Sequence, residues 1–67
     1  MSKYYEMDED EIRKLFRLDT IEFVKKVGDD TYYLGRKCRN IIRIRYNPYK
    51  ALMYKEEGDS IWKKFIL

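Results

Sequence analysis

The hydrophobic period of this chain changes partway along it. Ile12, Leu15 and Phe16 recur at i, i+3 and i+4, the spacing that lines one face of a helix. Ahead of them, Met7-Asp8-Glu9-Asp10-Glu11-Ile12 offers an N-cap Asp, a Glu three positions on, and an apolar pair able to close over the cap as a staple. These signals predict a short amphipathic helix over residues 8–17, with first-turn acids suited to the positive end of its dipole. Leu18-Asp19-Thr20-Ile21-Glu22-Phe23 then repeats the start signal. Residues 20–27 fit two elements. Ile21-Glu22-Phe23 alternates as a strand does, whereas Thr20, Phe23, Val24 and Val27 share a helical face. β-branched content favours the strand, while the Asp19 cap, Glu22 and a stop at Gly28 tilt the segment toward a second helix.

Beyond Gly28-Asp29-Asp30 the period becomes two. Thr31-Tyr32-Tyr33-Leu34 is aromatic and β-branched, and Ile42, Ile44 and Tyr46 alternate with Arg43 and Arg45. Residues 36–40 read as the loop between these strands. Asn47-Pro48-Tyr49-Lys50 and Glu57-Gly58-Asp59-Ser60 read as turns, leaving Ala51 to Tyr54 and Ile61 to Leu67 as further strands. Short connections imply antiparallel neighbours. The expected fold is a single α+β domain over residues 1–67, with one or two short N-terminal helices packed on a three- to four-stranded antiparallel β-meander.

Composition narrows the class. Sixty-seven residues allow one small domain, which buries only about 60% of the surface its unfolded chain exposes. An apolar content of 45% is too high for a disordered chain. The lone Cys38 cannot make an internal disulfide, so homodimerisation is one expected way to enlarge the core. No apolar run approaches the roughly 20 residues that span a bilayer, and the acidic start lacks a secretory pattern, so a cytoplasmic protein without a membrane partner is expected. The absence of His and Gln, with surfaces rich in Lys, Arg and Glu, matches hyperthermophile or AT-rich phage and viral coding.

Charge changes the picture most. From Thr31 to Lys55 there are seven cations (Arg36, Lys37, Arg39, Arg43, Arg45, Lys50, Lys55) and no acid, so a net charge of +3 conceals one strongly cationic block. Strand alternation puts Arg39, Ile41, Arg43 and Arg45 on one side and Ile42, Ile44 and Tyr46 on the other. Same-side residues lie about 6.6–6.8 Å apart, close to the phosphate spacing of a nucleic-acid strand, and arginine forks onto phosphate oxygens. The expected nucleic-acid-binding residues are therefore Arg36, Lys37, Arg39, Arg43, Arg45 and Lys50 as phosphate contacts, with Arg43 and Arg45 central. Tyr46 and Tyr49 are the stacking candidates, and Tyr32 or Tyr33 and Tyr54 join them if exposed. The expected partner is a nucleic acid, DNA or RNA.

Two other readings use the same residues. Alternating arginines also solubilise a half-buried sheet and guard its edges. A basic face can equally dock on an acidic protein surface, as in a small phage or viral host-takeover inhibitor or a small subunit. The Asp8 to Glu11 run lacks the spacing of a calcium loop and sits where a helix needs acids. Cys38 among cations is either a reactive thiol or a small loop or core residue. Trp62 and Phe65 are expected in the core, or as an anchor for a protein partner. With no His, one Cys, and serine only at positions 2 and 60, neither catalysis nor a metal or organic cofactor is expected.

Overall fold

The structure is a computed structural model and describes residues 6–65. Helix α1 spans Glu9–Phe16 and is set at both ends. At its start Asp8 Oδ1 accepts from the Glu11 N–H at 2.8 Å, and Glu11 Oε1 accepts from the Asp8 N–H at 3.4 Å, the reciprocal capping box the sequence predicts. At its end Arg17 takes the left-handed conformation (φ 56°). The Leu18 N–H donates to the Arg13 carbonyl at 2.9 Å and the Arg17 N–H to the Lys14 carbonyl at 3.1 Å. This Schellman ending turns the chain back and lets Leu18 drop into the core.

Everything after it is sheet. Strands β1 (Thr20–Val27), β2 (Asp30–Lys37), β3 (Asn40–Asn47), β4 (Ala51–Glu56) and β5 (Lys63–Phe65) pair antiparallel in chain order, β1-β2-β3-β4-β5. The α+β class and the meander agree with expectation, but one helix and five strands are present among the described residues, where one or two helices and three or four strands were expected. Residues 20–27 form a strand, against the capping signals that favour a second helix. Asp19 does cap backbone, but that of a hairpin: its Oδ2 accepts from the Cys38 N–H at 2.7 Å, and its own N–H donates to the Arg36 carbonyl at 2.7 Å. A helix N-cap and a turn cap require the same short acceptor, so the residue type alone cannot separate them.

The expected loop at 36–40 shrinks to Cys38-Arg39, because Lys37 and Asn40 already pair. Strand β2 runs through Gly35, and the glycine has a packing reason. A Cβ there would lie 2.5 Å from Leu18 Cδ1, so the missing side chain is the space Leu18 fills.

The core comprises Ile12, Phe16, Leu18, Ile42, Ile44, Tyr46 and Leu52, with Ile12, Ile44 and Leu52 wholly buried. The rings of Tyr54 and Phe65 close it against Phe16, with centroids 5.5 and 4.7 Å away. Thus α1 and Leu18 cover one face of the sheet, and the alternation of β3 has the register the sequence predicts: Ile42, Ile44 and Tyr46 face the helix, Arg43 and Arg45 face away. No helix among the described residues is long and apolar enough to cross a membrane.

Candidate nucleic-acid interface

Residues directly opposite in an antiparallel pair share a face, so the register defines what the uncovered side of the sheet presents. One row across the strands reads Lys25, Tyr32, Arg45, Met53, Lys64. The next reads Glu22, Leu34, Arg43, Lys55, and a third Thr20, Arg36, Ile41. The first row depends on an irregularity. Pairing slips between Phe23 and Lys25, leaving Val24 as an extra residue and bringing Lys25 opposite Tyr32.

Aromatic groups and cations are in contact on this face. Lys25 Nζ lies 5.0 Å and Arg45 Cζ 6.0 Å from the centre of the Tyr32 ring. Trp62, in the segment leading into β5, meets Tyr32 edge to face at 6.3 Å, with Lys55 Nζ 4.8 Å over its ring. Val24, Lys25, Tyr32, Arg43, Lys55 and Trp62 line a shallow concavity of about 330 Å³.

The central arginines are partly neutralised from the ends of the acid-free stretch. Arg45 Nη2 pairs with Asp30 Oδ2 at 3.1 Å, and Arg43 Nη2 lies 3.7 Å from Glu57 Oε2. The second contact is long and solvent-exposed, of the kind worth little. The first belongs to a network: Asn47 Nδ2 donates to Asp30 Oδ1 at 2.8 Å, while Asn47 Oδ1 accepts from the Tyr49 and Lys50 N–H groups at 2.9 and 3.1 Å. The Asn47 bond, followed by that of Arg45, holds the Asp30 carboxyl below its ordinary value against the opposing effect of partial burial. Arg45 is therefore as much a structural group as a surface cation.

The sequence-derived site residues are not all brought together. Arg36, Arg43 and Arg45 share the open face. Lys37 points to the helix side, near Phe16 and Arg17, and Arg39 occupies the exposed hairpin turn. Tyr49 and Lys50 lie in the turn at the opposite end of β3. Tyr46 is in the core, 8% exposed, with its hydroxyl accepting from the Met7 N–H at 2.9 Å, so its ring is not presented to a ligand. Lys25, Met53, Lys55, Trp62 and Lys64 enter the face without having been expected in the site. Met53 and Lys55 were legible from the period of β4, whereas Lys25 depends on a slip in pairing that local alternation does not announce.

Comparison with protein-family models, curated proteins and solved structures finds no match. Among the described residues no group of three or more His, Cys, Asp or Glu is placed to hold a metal ion. Any functional reading therefore rests on the face itself.

Proposed function

We propose that the protein is a non-catalytic nucleic-acid-binding protein that holds the phosphate backbone on the open face of its sheet. The observation that carries this reading is the convergence of Lys25, Arg36, Arg43, Arg45, Lys55 and Lys64, from all five strands, on one face that contains Glu22 and is bordered by Asp30. Cations directed at phosphate fix position without reading bases, so sequence specificity is limited. Arg39 and Lys50 extend the contact at the two ends of β3, with Tyr49 beside Lys50, and Lys37 stands at the margin. Tyr46 has no part in it. The single exposed thiol of Cys38 fits action in the cytoplasm.

The test is fluorescence anisotropy of labelled random single-stranded and duplex oligonucleotides at two salt concentrations. Binding should weaken steeply with salt through counterion release. The variant Arg43→Gln with Lys55→Gln should weaken it further and flatten the log–log salt slope by about 0.7–0.9 for each phosphate that is no longer neutralised. Arg45 is left intact because of its bond to Asp30. Binding indifferent to both salt and substitution would sink the proposal.

A second reading has its own support: Phe23, Val24, Val27 and Ile61 are each more than half exposed. A small interaction factor, such as a phage or viral host-takeover inhibitor or a small subunit, would use such groups beside a basic face to dock on an acidic protein. Tight binding to one acidic protein, with only feeble binding to oligonucleotides, would select it. Homodimerisation through the same apolar groups would appear as concentration-dependent sedimentation.

A further inference from the structure

We infer that the ligand of the open face is a single strand and that Trp62 is the platform on which one of its bases stacks. The inference rests on the nucleic-acid reading above and narrows it. The arginines of β3 do not lie on a free two-stranded ribbon, because β3 is the central strand of five. With strands about 4.8 Å apart the face is roughly 19 Å across, wider than the roughly 12 Å major groove of a duplex. A duplex would meet this face only through its phosphates. Its bases, stacked on one another, would leave the aromatic groups without a partner.

Those aromatic groups lie where unstacked bases would be. Trp62 is the only tryptophan of the chain, and it is absent from the hydrophobic core although so small a domain has little core to spare. It lies instead on the side of the sheet away from the helix, against Tyr32 and beneath the ammonium of Lys55. The two ring planes are 63° apart, so a base flat on Trp62 meets Tyr32 at its edge, as a wall rather than a second platform. The Lys55 ammonium rests on the face a base would take. Its long flexible stem lets it swing outward, and a phosphate next to the stacked base is its natural destination. Lys25 stands in the same relation to Tyr32. Aromatic rings interleaved with cations across a sheet form the combination that binds single strands with little regard for sequence, because every base has a π-face and every nucleotide a phosphate.

The single tryptophan makes the test direct. Unlabelled oligo-dT and a mixed-sequence duplex of the same length are titrated into the 67-residue chain at low salt while Trp62 emission is followed. Anisotropy with labelled probes then gives affinities for the parent, Trp62→Leu and Trp62→Phe, each first checked for a cooperative thermal melt. Oligo-dT should quench the emission to saturation, and Trp62→Leu should bind it about tenfold more weakly, in the range found for loss of one stacked base. Trp62→Phe should recover part of the loss, and duplex binding should be weaker and the same in all three proteins. Salt-dependent binding of oligo-dT without quenching, or with unchanged affinity in both variants, overturns the stacking role and leaves the phosphate-binding face standing. A duplex that binds as tightly as oligo-dT overturns the single-strand assignment in the same way. No binding of either probe overturns the inference together with the reading beneath it.

Discussion

At the scale of single residues, Asn47 ties two distant parts of the sheet together. It is 7% exposed, and its amide joins the β3–β4 turn to Asp30 at the start of β2. Nothing in Asn47-Pro48-Tyr49-Lys50 beyond the turn itself was legible, because the partner carboxylate lies seventeen residues away. Asn47→Ala should lower stability by about 1–3 kcal/mol, the cost of stranding the groups it satisfies, as read by chemical denaturation. The same network predicts a pH dependence. The folded-state pKa of Asp30 is depressed from its ordinary value of 3.8, so its stabilisation is complete above that value and is lost as pH falls through the depressed one. An Asp30→Asn variant should lack that part of the acid-induced loss, and an acid limb identical to the parent's would show that the Asp30 carboxylate contributes nothing.

At the scale of elements, the start and the buried face of α1 were legible because its capping box and apolar period are local and agree with each other. The central strands were legible in their alternation, and the register of β3 follows from it. Two turns stayed hidden for a shared reason of backbone conformation. The β2–β3 hairpin turns on Cys38, whose φ is 56°, and α1 ends on Arg17 with the same φ. Glycine or asparagine would have announced both turns, and their absence makes residues 36–40 look like a longer loop. A left-handed conformation costs a non-glycine residue roughly 1–2 kcal/mol, part of which glycine returns as unfolded-chain entropy. Cys38→Gly should therefore stabilise the hairpin by about 0.5–1 kcal/mol and raise the melting temperature. A lower melting temperature would mean that the thiol makes a contribution the geometry does not reveal. The helical expectation for residues 20–27 fails for another reason: Asp19 is a cap, as its type suggests, but its donor comes from a hairpin nineteen residues later.

At the scale of the whole molecule, the charge blocks of the sequence become charge by face. The acids Asp8 to Glu11 start the helix on one side of the sheet, where Arg13 and Lys14 partly balance them, and most cations of residues 31–55 lie over the other side. The mapping is not one to one. Lys25 and Lys64 join the basic face from outside the acid-free stretch, Lys37 leaves it, and Asp30 and Glu57, standing just beyond the ends of the stretch, return to the central arginines. On the nucleic-acid reading proposed above, a polyanion would meet the molecule sheet first. The meander also leaves β1 as an edge with exposed Phe23, Val24 and Val27, a template on which a second chain could add a strand. The slip at Val24 spoils that template. Deleting Val24 would keep Phe23 opposite Tyr33 and Lys25 opposite Tyr32, so the domain should still fold, now with a straight edge. Two straightened β1 edges would pair with each other into a closed antiparallel dimer, so sedimentation of the deletion variant should show more dimer than the parent at equal concentration, and equal sedimentation would show that the supernumerary residue does not guard the edge.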